Sequence, residues 1–179
     1  MSVRRSTTGA GAPWQDVGVN SLDDELQLAM TLEPNAVSEA ALIWARATAL
    51  RDQRTEPPTG EEKMPGIQRR LNLEGSKLLL ASRDDTCVGF TLFAPREESL
   101  EIFYLAVAPD SWGSGVASTL LVGAEDYARS IGRATLELWV INDNERALSV
   151  YARSGFVGTE QVKRDESSGQ IERRLLKQI

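Results

Sequence analysis

Histidine is absent from the 179 residues, and cysteine occurs once, as Cys87. Without histidine the chain lacks the commonest general base, every imidazole-dependent triad and the usual zinc sites. A single cysteine closes no internal disulfide and builds no thiolate cluster, so no metal is expected. Cys87 opens an apolar run and reads as a small buried hydrophobe. Acid–base work falls to Glu, Asp, Tyr, Lys or that thiol. No apolar run approaches the ~20 residues that span a bilayer. Arg4 and Arg5 precede Ser, Thr, Gly and Ala rather than an apolar segment, so no signal peptide is expected and the chain reads as cytoplasmic. Positive charge is also in deficit. Lys and Arg total 20 against 26 Asp and Glu, a formal net charge of −6, which argues against a general nucleic-acid or anionic-membrane partner.

What is present is enough for one core: 41% of residues are hydrophobic, and the length suits one domain. Residues 1–13 are small and polar and read as a disordered tail; residues 14–179 read as the domain. Trp14–Val19 reads as a first strand. Leu22, Leu26 and Met30, after Ser21 and two aspartates, predict a short helix that Pro34 ends. Ser38 is the expected cap of the next helix, which runs to about Gln53. Residues 54–66, RTEPPTGEEKMPG, read as a loop, and Gly66–Leu73 as a short helix. Lys77–Ser82, Val88–Ala94 and Leu100–Val107 predict consecutive antiparallel strands. Ala134–Ile141, Val157–Lys163 and Gln170–Gln178 predict three more, with a helix between Asn144 and Gly155.

The most informative stretch is Ser99–Gly132. An apolar strand with one charge, Glu101, runs into Trp112-Gly113-Ser114-Gly115-Val116-Ala117. After this turn Val116, Leu120, Ala124, Tyr127 and Ile131 recur at helical spacing, and Gly132 sits at the stop. The first N–H groups of a helix lack internal partners and lie at its positive end. Glycines let a phosphate approach that backbone. A dinucleotide fold would want a third glycine at Ser118, and a Walker loop would want Gly-Lys-Ser/Thr where Ser118-Thr119-Leu120 stand, so both of those readings fail on spacing.

The turn resembles the acyl-CoA-binding motif of the GNAT superfamily of N-acetyltransferases, Gln/Arg, two residues, Gly, one residue, Gly/Ala. Gly115 and Ala117 match its last two positions, and Trp112 stands in place of Gln/Arg. Downstream, Asn144, Ala147, Tyr151 and Gly155-Phe156 resemble the family's closing N-x-x-A-x-x-x-Y-x-x-x-G-F pattern. The resemblance covers residues 76–179 well and 14–75 poorly. It implies an α/β GNAT fold, a central mixed sheet with helices on both faces, and acetyl-CoA as co-substrate for transfer to an amine.

Carried over residue by residue, the resemblance implies that backbone N–H groups of Trp112, Gly113, Ser114, Gly115, Val116 and Ala117 hold the pyrophosphate. The backbone of Leu105, Ala106 and Val107 would pair with pantetheine as an added strand does. Their side chains read equally as core. Tyr151 aligns with the family's general acid. Glu101, in Glu-Ile-Phe-Tyr-Leu-Ala-Val, resembles the glutamate base of the family's histone acetyltransferases, and a carboxylate in an apolar strand invites a raised pKa. A solvent-facing charge is the alternative for Glu101. Glu97, Glu98 and Glu137 are lesser candidates, read as solvated. Asn144 reads either as a residue beside the cofactor or as an N-cap. Because an indole is no cation, phosphate charge would fall to Arg146 or Arg153. The early helices and the loop between them would shape the acceptor pocket, and the acids from Glu56 to Glu62 tilt the expected acceptor toward a small cation. The competing functions are an acyl-CoA sensor without turnover, and transfer of a longer acyl group or to a hydroxyl. The family also admits a homodimer.

Overall fold

The computed structural model describes residues 26–56, 59–166 and 168–179. The expected tail and the expected strand Trp14–Val19 lie outside the described residues.

A mixed sheet of seven strands organises the chain. In chain order the elements are β1 (Gln27–Met30), α1 (Pro34–Arg51), α2 (Gly60–Leu71), β2 (Lys77–Arg83), β3 (Thr86–Pro95), β4 (Ser99–Val107), α3 (Val116–Ser130), β5 (Thr135–Ile141), α4 (Glu145–Arg153), β6 (Val157–Arg164) and β7 (Ile171–Gln178). A short 3₁₀ turn, Pro109–Ser111, precedes the glycines. The strand order is β1-β2-β3-β4-β5-β7-β6, and β4–β5 is the parallel pair. That pair is joined by α3, as a strand–helix–strand crossover requires.

Both faces of the sheet are covered. The run Leu78–Ala81 alternates between them: Leu79 and Ala81 join the core with α3 and α4, while Leu78 and Leu80 join the core under α1 and α2. Gly89 shows how close α3 comes, since a Cβ there would lie 2.8 Å from Val116 Cγ1. On α3, Val116, Leu120, Leu121, Ala124 and Ala128 are buried as the spacing predicts. Glu125 is buried among them and is held by Lys177 of β7 and by Arg129.

Three expectations near the start are corrected. Gln27–Met30 is a strand paired with β2, because Leu26, Leu28 and Met30 also fit a period of two and pack on the α3 core. Pro34 begins α1 rather than ending a helix. At the first position its missing N–H leaves nothing unsatisfied. Ser38 therefore lies inside α1, where its hydroxyl donates to the Pro34 carbonyl at 3.1 Å. Most of the expected loop is α2, which begins at Gly60 and carries Pro65 within it. Pro65 deprives the Glu61 carbonyl of a partner, but Glu61 is exposed, and the complete burial of Ile67 holds the helix down.

Candidate active site

The site starts where β4 and β5 part. They pair from Ser99–Thr135 to Ile102–Leu138 and no further. At the same point Phe93 of β3 opposes Ile102 while Leu92 opposes Tyr104, so Phe103 is the extra residue of a bulge. A bulge bends and twists its strand. Beyond Ile102, β4 thus presents an open edge. The Ala108 N–H donates to the Val88 carbonyl at 2.8 Å, so by alternation Ala106 and Tyr104 also bond to β3. Leu105 and Val107 turn their amide groups to the open edge. One of these is already engaged: the Trp112 indole N–H donates to the Val107 carbonyl at 2.8 Å.

The open edge leads to the glycine turn. Gly113 and Gly115 have φ of 81° and 86°, in the left-handed region that costs other residues strain, and a Cβ at either would meet no heavy atom within 4 Å. Among the described residues, the N–H groups of Gly113, Gly115, Val116, Ala117 and Ser118 find no acceptor. Trp112 and Ser114 differ from the expected cradle: their N–H groups donate inward to Pro109 and Ser111 at 3.1 and 3.4 Å. The donor set is therefore a cluster of free N–H groups at the start of a helix of 15 residues, facing space that no side chain fills. That arrangement fits a phosphate.

Trp112 is partly buried against the α3 core, and the Arg146 guanidinium lies over its ring, 4.3 Å from the ring centre. Arg146 sits in the first turn of α4, and no carboxylate among the described residues pairs with it. Arg153 instead bends back to donate to the Ser149 carbonyl at 3.2 Å. The Asn144 side chain caps α4 by accepting from the Ala147 N–H at 3.2 Å. Seven positions on, α4 buries Tyr151 edge-on against Phe156, in the core that also holds Val107 of β4 and Leu138 of β5. Burial pushes the Tyr151 phenol up to about 12. Its hydroxyl has no hydrogen-bond partner among the described residues.

Glu101 does not sit alone in an apolar strand. It is bound by Arg96, Nε to Oε2 at 2.6 Å, and its side chain is 14% exposed. Glu137, expected to be solvated, is buried and paired with Arg174, while Glu97 and Glu98 are exposed. Cys87 is half-buried, its thiol pushed up to about 11 chiefly by desolvation. On the other side of β4 lies a wall that sequence spacing did not reveal. Trp44 of α1 stacks on Tyr104 at 4.2 Å, and Lys63 and Arg70 of α2 lie over Trp44 and Phe103. Two aromatics together in Phe103-Tyr104 were the available signal, but only the bulge turns both toward α1 and α2. Among the described residues no three His, Cys, Asp or Glu side chains gather as a metal site, and no helix is long and apolar enough to cross a membrane.

Residues 44–156 match the model of the acetyltransferase (GNAT) family. The chain belongs to the GNAT acetyltransferase family. Within the matched residues lie the glycine turn, Asn144 and Tyr151. Mycothiol acetyltransferase of Acidimicrobium ferrooxidans is 42% identical over 101 residues, which is 54% of this chain and 33% of that protein. The chain spans a third or less of the length of the curated relatives it matches, 33% and 30%. Two solved structures show the same GNAT fold. One is a GNAT-family protein of Desulfovibrio desulfuricans, with TM-score 0.68, 19% identity, and coverage of 86% of this chain and 98% of that one. The other, from Salmonella typhimurium, was solved with its cofactor acetyl-CoA; TM-score is 0.59, identity 15%, and coverage 84% and 93%.

Proposed function

We propose that this GNAT chain moves the acetyl group of acetyl-CoA directly to an amine, with both substrates bound at once. One observation carries the reading: the open edge of β4 runs into a turn whose free N–H groups face unfilled space. Acetyl-CoA would supply a thioester whose carbonyl carbon a neutral amine attacks, with the thiolate as leaving group.

The chain's own groups divide that work. The free N–H groups from Gly113 to Ser118 hold phosphate oxygens at the positive end of α3. Arg146, seated on Trp112, brings the full cation that position 112 does not. Leu105 and Val107 offer the remaining amide groups of the open edge to pantetheine. Tyr151 keeps its proton through neutral pH and hands it to the departing sulfur. A phenol near 12 is a weak acid toward a thiolate, so its contribution depends on being held close rather than on driving force. Glu101, on the face toward α1 and α2, takes the amine proton through water, with Arg96 fixing the carboxylate.

The test is thiol release on mixing acetyl-CoA with amines. Tyr151→Phe is expected to lower kcat on the order of 10²-fold while leaving acetyl-CoA affinity unchanged. For the intact protein, the rate should rise with pH as the amine loses its proton. Because burial raises the phenol to about 12, Tyr151 should impose no fall below about pH 10. Undiminished turnover by the phenylalanine variant would remove the acid role.

A further inference from the structure

We propose that the acceptor is a small amine that also carries a carboxylate, and that Arg70 binds this carboxylate. The inference rests on the acetyl-transfer reading and names its second substrate.

Lys63, Ile67 and Arg70 share one face of α2, at spacings of four and three residues. Ile67 is fully buried, and the cations on either side reach over the aromatic wall. Lys63 Nζ lies 4.7 Å from the Trp44 ring centre, and Arg70 Cζ lies 4.4 Å from that of Phe103. Phe103 is the bulge residue at which β4 leaves β5, so Arg70 stands at the opening of the gap.

Three other cations near the opening are matched, while Lys63, over Trp44, has no carboxylate within 4.0 Å among the described residues. Arg96 pairs with Glu101, Lys163 with Glu172 at 3.5 Å, and Arg174 with Glu137. Arg70 has no carboxylate within 4.0 Å among the described residues, although its charge reaches Glu172. Its Nε is buried with no hydrogen-bond partner. A buried donor left unpaired is costly, and a guanidinium binds a carboxylate through parallel N–H donors. The terminal nitrogens of Arg70, which are not buried and have no hydrogen-bond partner among the described residues, offer those donors to a ligand carboxylate.

A polycationic acceptor finds the opposite of what it needs. The ring faces that could receive its charge are occupied: Lys63 covers Trp44, and Arg70 and Arg96 both lie over Phe103. The acids that suggested a cationic acceptor, Glu56, Glu61 and Glu62, are all exposed, the last two in the first turn of α2. Desolvation, then Arg54 and Arg51, lower the pKa of Lys63, as expected where positive charge is in excess.

The experiment compares matched acceptors: leucine against 3-methylbutylamine, phenylalanine against phenethylamine, and spermidine as the polycation. Thiol release at saturating acetyl-CoA gives kcat and KM. Calorimetry of the N-acetylated acids and amines on the protein–CoA complex gives binding without turnover. The carboxylate-bearing member of at least one pair should be favoured by about tenfold or more, chiefly in KM or Kd. Arg70→Gln should erase that preference while acetyl-CoA affinity and melting temperature hold, and Arg70→Lys should restore part of it. Preference for spermidine or the decarboxylated amines overturns the inference. So does a preference that survives Arg70→Gln, and so does a panel in which no member binds or reacts. If acetyl-CoA itself does not bind, the underlying acetyl-transfer reading fails with it; if it binds and only the preference is missing, that reading stands.

Discussion

The two sides of β4 are built from different materials. Toward α3 the candidate cofactor site is almost entirely backbone: free N–H groups after the glycines and the open amide edge of Leu105 and Val107. Toward α1 and α2 the wall is side chain: Trp44, Tyr104 and Phe103, overlaid by Lys63, Arg70 and Arg96. Backbone donors do not depend on which residue carries them, so a tryptophan can stand at position 112 without dismantling the cradle. Side chains do depend on identity. On the proposed function, discrimination among acceptors would belong to the α1–α2 side, and retention of a common donor to the α3 side.

That contrast can be broken from the cofactor side at Arg146, the cation that the proposed function gives to the phosphates. Arg146→Ala should weaken acetyl-CoA binding on the order of tenfold, as loss of a charge-assisted contact does, and should flatten its salt dependence. KM for the acceptor should stay put. A fall in acceptor affinity with acetyl-CoA binding intact would mean that the two sides are not separate. A smaller effect sharpens the boundary at Asn144. Its side chain caps α4, so Asn144→Ala should cost about 1 kcal/mol of stability, read as a lower midpoint in urea unfolding, with acetyl-CoA affinity nearly unchanged. A large loss of affinity would instead make Asn144 a cofactor contact, as the family resemblance implies.

Legibility in the sequence follows the same division. The strand from Ser99, the glycine turn and the helix from Val116 were readable because their signals are local: an apolar run, two glycines that need positive φ, and a stripe at helical spacing. The first half of α2 was not readable; the second half was, since Gly66–Leu73 reads as a helix and Gly66–Leu71 is one. Pro65, Gly60 and the neighbouring acids all argue for a loop, and only burial of Ile67 against α1 and the sheet overrides them. Gln27–Met30 fitted both periods, and pairing with β2 decided between them. The partners of Glu101 and Glu137 were hidden for another reason. Arg96 reaches Glu101 across a tight turn, and Arg174 reaches Glu137 from a neighbouring strand, neither of which a spacing rule encodes. Trp112 was legible as a departure from the motif. That its ring would seat Arg146 required α4 to be in place.

The central claim is that the glycine turn after β4 is a phosphate cradle for acetyl-CoA. The direct measurement is calorimetric titration of acetyl-CoA, with NADH as comparator, into the intact protein and into Gly115→Val. Because φ at Gly115 is 86°, the melting temperature of the variant is recorded alongside to establish that it remains folded. The account predicts acetyl-CoA binding without NADH binding for the intact protein, and loss of acetyl-CoA binding by a folded variant. No binding at millimolar acetyl-CoA, or equal affinity in the folded variant, would contradict it.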